Sequence, residues 1–202
     1  EICTSYKTDF EEVYESDAFP IRPERIVNEL SNGMPENAII VVDTGHSGMW
    51  MGGMFEKRHE GQSYIRSAGH LGWAFPAALG AKCGAPDRPV VCFMGDLGFW
   101  YHMAEVETAV RAGINTITII NNNNSGNKAK DSISNIYDGK PTKASQDIWV
   151  QNKINFAKIA EDMGAVGIRI EKANEIASAF QNALQLDKPV VIDIATDIEV
   201  VA

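Results

Sequence analysis

Residues 90–99 read Val-Val-Cys-Phe-Met-Gly-Asp-Leu-Gly-Phe, an apolar run followed by an aspartate between glycines. A short, fully apolar run predicts a strand that is buried on both faces, as in a parallel sheet. The residues that follow predict a turn into a helix, whose first backbone amides would face a ligand at the strand end. Because open parallel sheets bind ligands at the carboxyl ends of their strands, we expect Asp96 to lie at a binding site.

Short apolar runs alternate with longer amphipathic segments on both sides of this stretch, which predicts an α/β fold with a parallel sheet. The predicted strands are Ala38–Val42, Val90–Met94, Thr116–Ile120, Val166–Ile170 and Val190–Ala195. The predicted helices are Pro23–Leu30, Trp73–Lys82, Met103–Ala112, Asn155–Met163 and Ala173–Leu186. The polar segment Asn121–Val150 shows no sustained period and is predicted to be a long loop, which in a compact domain is commonly functional.

Composition excludes several classes of protein. With 202 residues and 45% hydrophobic residues, the chain predicts one folded domain, which we place at residues 21–202 after a lead segment at 1–20. A net charge of −9 without a basic cluster argues against a nucleic-acid partner. The most apolar runs are far shorter than the roughly 20 residues that span a bilayer, so no membrane segment is expected.

Cysteine usage indicates a reducing compartment. Cys3, Cys83 and Cys92 have no CxxC spacing and cannot all pair, which argues against a disulfide framework or a zinc site. We therefore expect the protein in the cytoplasm.

Three unusual stretches follow the predicted strands that end near Val42, Met94 and Ile120. They are Asp43-Thr-Gly-His-Ser-Gly48, Gly95-Asp-Leu-Gly-Phe99 and Asn121-Asn-Asn-Asn-Ser-Gly126. Together they offer glycines for close backbone approach, a carboxylate, amide oxygens and a helix amino end. This combination is typical of a site for a diphosphate and a hard cation such as Mg²⁺, which prefers oxygen ligands.

The spacing of these residues resembles a known family. Gly95-Asp96 and Asn122-Asn123, with 123 − 96 = 27, are similar to the GDG…NN signature of thiamine-diphosphate enzymes. Ser67–Ala81 resembles the family stretch SGGLGxMGxxxPAAIGA, and Thr44–Trp50 resembles the diphosphate-contacting turn of acetolactate synthases. The chain is thereby identified as similar to the C-terminal, diphosphate-binding (PP) domain of the acetolactate synthase and 2-oxo acid decarboxylase family. The resemblance implies a three-layer α/β/α fold with a six-stranded parallel sheet.

The resemblance also implies roles for individual residues. The side chains of Asp96 and Asn123 and the main chain of Ser125 would bind Mg²⁺, and the run of four asparagines leaves Asn122 and Asn124 as alternatives to Asn123. The remaining expected contacts with thiamine diphosphate around its phosphates are Gly45, His46, Ser47, Gly95, Leu97, Gly98 and Gly126. The family usually has a small residue where this chain has Leu97, and a positive φ there would cost about 1 to 3 kcal/mol.

A second group of residues would contact the aminopyrimidine end of the cofactor. Gly69 would accept a hydrogen bond from the 4′-amino group, and Leu71 would be the bulky side chain that keeps the cofactor bent. His70, between them, would exchange protons with a substrate oxygen near pH 7 or would be a buried structural histidine. His46 likewise has a plainer alternative, an exposed loop position.

The family activates the pyrimidine ring with a glutamate from a separate, N-terminal-type domain, which no segment of this sequence resembles. The resemblance therefore implies a pyrimidine-binding partner subunit or domain, a hetero-oligomer, and contact surfaces at Trp50–Phe55 and Phe99–Tyr101. The expected reaction is decarboxylation of a 2-oxo acid with transfer of the acyl carbanion to an acceptor, as in acetolactate synthases. The alternatives are a two-subunit 2-oxo acid decarboxylase that releases an aldehyde, and a non-catalytic cofactor-binding or regulatory module.

Overall fold

The computed structural model describes residues 10, 12–140 and 142–202. Within these residues, six parallel strands form one sheet in the order β2-β1-β3-β4-β6-β5. The strands are β1 (Ile39–Val42), β2 (Ser63–Arg66), β3 (Val90–Gly95), β4 (Ile117–Asn122), β5 (Val166–Ile170) and β6 (Val190–Ala195). The predicted α/β class and the six-stranded parallel sheet are confirmed.

Helices flank the sheet between its strands. They are α1 (Pro23–Gly33), α2 (His46–Met54), α3 (Ala74–Gly84), α4 (Asp96–His102), α5 (Glu105–Ala112), α6 (Lys130–Ile136), α7 (Lys143–Gln146), α8 (Phe156–Asp162) and α9 (Ile176–Ala183). Single 3₁₀ turns lie at Asn127–Ala129 and Ala173–Glu175. Among residues 10, 12–140 and 142–202, no helix has the length and apolar character needed to cross a membrane.

Alternate strand residues face two separate cores, which produces the three layers. On one face, Ile40 and Phe93 pack with helices α1, α2 and α9 through residues such as Leu30 and Phe180. On the other face, strand residues such as Val41 pack with α3, α4, α5 and α8. Because both faces are covered, β3 is buried and apolar from Val90 to Met94, as the sequence predicts.

The connections change direction between β1 and β3. The chain runs from β1 outward to the edge strand β2 and then returns across β1 to β3, which continues toward β4. Residues at the carboxyl ends are in register, with Val42 beside Phe93 and Gly95 beside Asn121. This reversal is the place where open α/β sheets form a ligand crevice.

Helix α2 and strand β2 were absent from the sequence prediction. Helix α2 occupies a stretch that was predicted to be a glycine-rich loop, and close contacts explain its Gly48. A Cβ atom on Gly48 would lie 2.5 Å from the Asp43 carbonyl oxygen and 2.9 Å from Arg66 Nε. Strand β2 is four residues long and lies at the sheet edge, half of it exposed, so it carries little apolar signal.

The segment predicted as a long loop, Asn121–Val150, contains regular structure. Strand β4 continues through Asn122, and the segment then contains a 3₁₀ turn and helices α6 and α7. A bridge between Ser125 and Val150 closes the segment, and Gly126 N donates to the Trp149 carbonyl over 2.7 Å. The loop prediction was therefore wrong in its structure, although this segment does reach the site described below.

Candidate cofactor site

A cavity of about 340 Å³ lies at the carboxyl edge of the sheet, beside the ends of β1, β3 and β4. Its lining residues come from the three stretches that follow β1, β3 and β4, from the 3₁₀ turn Asn127–Ala129, and from Leu71 in the turn before α3. They are Thr44, Gly45, His46, Ser47, Leu71, Gly95, Asp96, Leu97, Gly98, Asn121, Asn123, Ser125, Gly126, Asn127, Lys128 and Ala129.

Asp96 is the first residue of α4 and is buried. Its Oδ1 accepts a hydrogen bond from Leu97 N over 2.6 Å, and its Oδ2 accepts one from Ser125 N over 3.1 Å. Burial raises the pKa of this carboxyl to about 6, although the amides of Leu97, Ser125 and Asn124 act in the opposite direction. The carboxylate therefore joins the amino end of α4 to the turn after β4 and is costly to keep ionised without a cation.

The four asparagines differ in what their side chains do. Asn123 lines the cavity, and its Oδ1 accepts a hydrogen bond from Ser125 Oγ over 2.8 Å. Asn122 is fully buried and donates to Asp193 Oδ1 over 2.8 Å, while Asn124 Oδ1 accepts from Ile154 N over 2.9 Å. The side chains of Asn122 and Asn124, the two alternatives that the sequence left open, are thus engaged in structural hydrogen bonds. This favours Asn123 as the metal ligand.

Gly45 and His46 shape the opposite wall of the cavity. Gly45 has φ +77°, a conformation that glycine adopts without strain, and it turns the chain from β1 into α2. His46 is half-buried at the first position of α2, with its ring edge-on to Trp50, so it is not an exposed loop residue. Burial and the nearby Lys128 ammonium lower the pKa of His46, which favours a neutral imidazole.

Leu97 fits the site without backbone strain. It lies in helix α4 and is not among the described non-glycine residues that have positive φ. A Cβ atom on Gly126 would lie 3.2 Å from Leu97 Cδ2, so the leucine side chain occupies space beside that glycine. On the other side, Leu71 Cδ1 would lie 3.4 Å from a Cβ atom on Gly98.

The predicted aminopyrimidine contacts are only partly in the cavity. Leu71 lines it, whereas Gly69 and His70 lie outside the lining, in an exposed turn. Gly69 has φ +136°, and His70 N donates to Ser67 Oγ over 3.2 Å. Because His70 is exposed, the buried structural alternative for it was wrong.

Both predicted contact surfaces are partly buried. Trp50 and Met51, within Trp50–Phe55, belong to the core, as does Phe99. Trp100 and Tyr101 remain on the surface and are the part of the aromatic cluster that a partner could reach.

The sequence reasoning gave no individual role to Asn121, although this residue begins a stretch that it singled out, and it missed Asn127 and Lys128 of the cavity wall. Asn121 could have been found from its position at a strand end beside Gly95. Asn127 and Lys128 carry no sequence signal, because a 3₁₀ turn that periodicity does not reveal brings them to the cavity.

The polar atoms of the wall fit an anionic ligand and a cation. Asn121 Oδ1, Asn127 Oδ1 and His46 Nδ1 are buried and have no hydrogen-bond partner among the described residues. Unpaired buried polar atoms are costly, and a bound group that supplies partners removes this cost. Carboxylate and amide oxygens beside a helix amino end suit a hard cation that bridges to phosphate.

The doubly wound sheet and the cavity at its carboxyl edge define the class, an α/β domain built to bind a phosphate-bearing cofactor. The family model for "Thiamine pyrophosphate enzyme, C-terminal TPP binding domain" matches residues 43–194. The chain belongs to this family, as the motif resemblance predicts.

Similar proteins carry related names. The chain is 33% identical, over 92% of its length, to a "Probable acetolactate synthase large subunit" of Methanococcus aeolicus, and it covers 31% of that protein. It is 33% identical, over 87% of its length, to the "Putative thiamine pyrophosphate-containing protein YdaP" of Bacillus subtilis, of which it covers 30%. The chain thus spans about a third of the length of these curated relatives.

A solved structure shares the fold. It is the thiamine diphosphate-dependent 4-hydroxybenzoylformate decarboxylase of Rhodococcus jostii RHA1, with a TM-score of 0.78 and 27% identity. The match covers 90% of this chain and 34% of the decarboxylase.

Proposed function

We propose that this chain is the cofactor-binding part of a thiamine-diphosphate- and Mg²⁺-dependent enzyme that decarboxylates a 2-oxo acid and transfers the resulting acyl carbanion to an acceptor. The proposal rests on family membership over residues 43–194 and on similarity to acetolactate synthase subunits. The single observation that carries it is the hydrogen bond between the amino end of α4 and the turn after β4. Ser125, two residues after Asn123, donates its backbone N–H to Asp96, and the side chains of Asp96 and Asn123 both line one cavity.

In this proposal, Mg²⁺ binds to the side chains of Asp96 and Asn123 and to the main chain of Ser125. The amides at the start of α4, from Leu97 and Gly98, and the first residues of α2, His46 and Ser47, hold the diphosphate. Ser47 is buried beside Gly95, and the neutral His46 ring donates or accepts a hydrogen bond without adding charge.

The chemistry that bound thiamine diphosphate supplies is stabilisation of a carbanion next to the former carbonyl carbon. The chain's own contribution is positional. Leu71, beside Gly98, supports the bent form of the cofactor, and Gly69 offers a carbonyl oxygen to the aminopyrimidine. His70 is exposed on the same turn, where a partner surface would enclose it beside the substrate and allow it to exchange a proton.

The partner in this proposal is an N-terminal-type pyrimidine-binding subunit or domain with an activating glutamate, which makes the assembly heteromeric. Support comes from the relatives, whose length is about three times the part that this chain matches. The cytoplasm is the proposed location and rests on cysteine usage alone.

A titration of thiamine diphosphate tests the proposal. Binding should require Mg²⁺, and turnover of a pyruvate-like 2-oxo acid should appear only when the pyrimidine-binding partner is present. Tight binding without turnover in the mixture would favour the non-catalytic module. Binding that is indifferent to Mg²⁺ would contradict the ligand assignment.

Release of an aldehyde is the second candidate reaction, because the similar solved structure is a decarboxylase. Product analysis separates the two reactions. A carboligase converts the acid to a longer hydroxy-oxo product when an acceptor carbonyl is present, whereas a decarboxylase yields one aldehyde for each CO₂ whether or not the acceptor is present.

A further inference from the structure

Asp43 is a buried carboxylate that none of the roles above uses. It follows the last residue of β1 and has no exposed surface. Its Oδ2 accepts a hydrogen bond from Gly72 N over 2.8 Å, and its Oδ1 has no partner of good geometry among the described residues. Burying a carboxylate costs free energy of folding, so a functional reason for its position is expected.

The Asp43 carboxylate lies where two cofactor-facing segments meet. Gly72, with φ +87°, ends the turn that contains Gly69 and Leu71. A Cβ atom on Gly98 would collide with Asp43 Oδ2 and would also touch Leu71 Cδ1 at 3.4 Å. The carboxylate therefore lies between the Gly69–Gly72 turn and helix α4 and contacts both.

Backbone amides surround the Asp43 carboxylate. Burial raises the pKa of Asp43, while the amides of Gly72, Thr44 and Ala74 partly offset that effect. Ala74 begins α3, so a plainer role for Asp43 would be to cap that helix. A cap explains the contact with the start of α3 but does not require the contact with Gly98 on α4.

We propose that Asp43 is a positioning residue that fixes the Gly69–Gly72 turn, and with it the Leu71 side chain, at a set distance from the amino end of α4. The inference rests on the proposed function, in which α4 holds the diphosphate and the turn faces the aminopyrimidine. Asp43 then determines how far apart the two ends of the cofactor are held, without touching the cofactor.

The test compares two ligands that share the diphosphate. In the complete protein with its pyrimidine-binding partner, the affinities for inorganic diphosphate and for thiamine diphosphate are measured by calorimetry at saturating Mg²⁺. For Asp43→Ala, we expect thiamine diphosphate affinity to fall by at least about tenfold, because a hydrogen bond to a charged group is lost. Affinity for inorganic diphosphate should change by less than about threefold, because the cradle around Asp96 keeps its own bonds.

Two further variants keep the test decisive. Asp43→Asn keeps the size of the side chain but turns an amide N–H toward a backbone donor, so we expect a smaller, selective loss of about three- to tenfold. Val190→Ala, at the amino end of β6 and away from the cavity, removes two buried methyl groups. It should leave the ratio of the two affinities unchanged. If Asp43→Ala does not fold, the asparagine variant carries the comparison.

Equal weakening of both ligands in the Asp43 variants, or no weakening of either, would overturn the inference and leave Asp43 as a helix cap. Failure of the unsubstituted protein to bind thiamine diphosphate would instead overturn the proposed function, and this inference with it. The behaviour of the unsubstituted protein therefore distinguishes the two failures.

Discussion

Asp96 must be ionised to bind a cation, yet its surroundings disfavour the charge. Burial raises its pKa to about 6, so protons would compete with the proposed Mg²⁺ at mildly acidic pH. We expect Mg²⁺ affinity, measured by titration with inorganic diphosphate present, to fall by about tenfold for each pH unit below 6. Asp96→Asn should bind Mg²⁺ weakly at every pH, and a wild-type affinity that stays constant from pH 7 to 5 would contradict the assignment.

The same residue predicts how the stability of the metal-free protein depends on pH. The pKa of Asp96 is higher in the folded state than in the unfolded state, so the folded state binds more protons between about 4 and 6. Its contribution to the free energy of unfolding is therefore fully present below about pH 4 and is lost as the pH rises through about 6. Without Mg²⁺, Asp96→Asn should be more stable than the wild type at pH 7 and show no advantage at pH 4 in urea titrations.

The residues of the site were predictable from the sequence where spacing along the chain determines them. They were unpredictable where only three-dimensional contacts determine them. Asp96 follows an apolar strand and could be recognised at once, whereas the choice among Asn122, Asn123 and Asn124 needed the hydrogen bonds to Asp193 and Ile154. The exposure of His70 depends on a turn held by Ser67, which no periodicity reports.

Gly98 shows how closely the elements of the site approach one another. It is buried in α4, and a Cβ atom there would collide with Asp43 Oδ2. Gly98→Ala should therefore lower the free energy of unfolding by about 1 to 3 kcal/mol, as overpacking does. Thermal or urea unfolding of the isolated protein measures the change.

Gly80 provides the matched control for Gly98. It is also a helical glycine, in α3, but nothing lies within 4 Å of the Cβ position. Gly80→Ala should raise the free energy of unfolding by about 0.5 to 1 kcal/mol, because alanine favours the helix. If both alanine variants change stability in the same direction, the close approach at Gly98 is not the cause.

Strand β6 anchors the asparagine run through one buried carboxylate. Asp193 Oδ1 lies 2.8 Å from Arg169 Nη1 and accepts from Asn122 Nδ2 over 2.8 Å, while Oδ2 accepts from Phe156 N over 2.7 Å. Asp193→Ala removes the acceptor of Phe156 N, the ion-pair partner of Arg169 and one of the two acceptors of Asn122 Nδ2, which also donates to the Ile154 carbonyl. We therefore expect the free energy of unfolding to fall by about 3 to 5 kcal/mol.

The exposed pair Glu107–Arg111 tests whether burial is the reason for that loss. Its charged atoms are 2.9 Å apart and both side chains are more than half exposed. Arg111→Ala should cost at most about 1 kcal/mol in the same urea titration. A cost for Asp193→Ala as small as that for Arg111→Ala would show that the network does not stabilise the strand.

Elements were predictable where their own residues determine them. The central strands and helix α5, which ends at Gly113 with φ +63°, follow from apolar periodicity and a glycine stop. Helix α2 was not predictable in this way, because its Gly48 allows the close approach of Asp43 and Arg66 and does not form a turn. Strand β2 was not predictable either, because a short edge strand buries few side chains and so shows little apolar pattern.

At the scale of the whole molecule, the site opens beside a surface that a partner could cover. Trp100 and Tyr101 lie on α4 within a few residues of Asp96, and Tyr101 is 62% exposed. Trp100 is anchored by its ring contact with Phe156 and by its hydrogen bond to Gln151, so its surface is held in place. Exposed aromatic residues beside an unpartnered site are typical of an interaction surface.

Tyr101→Ala separates assembly from folding. Tyr101 Cβ packs beside Gly72, where an added Cβ atom would lie 2.9 Å from it. Alanine at position 101 keeps this Cβ and removes only the exposed ring. We expect the melting temperature of the isolated protein to stay the same and the Kd for the proposed pyrimidine-binding partner to rise by about 30-fold, as for an interface hot spot. Leu186→Ala removes a 42% exposed side chain near the opposite edge of the sheet, so it should leave that Kd unchanged. Calorimetric titration with the partner measures both variants, and equal effects from them would mean that the partner does not cover α4.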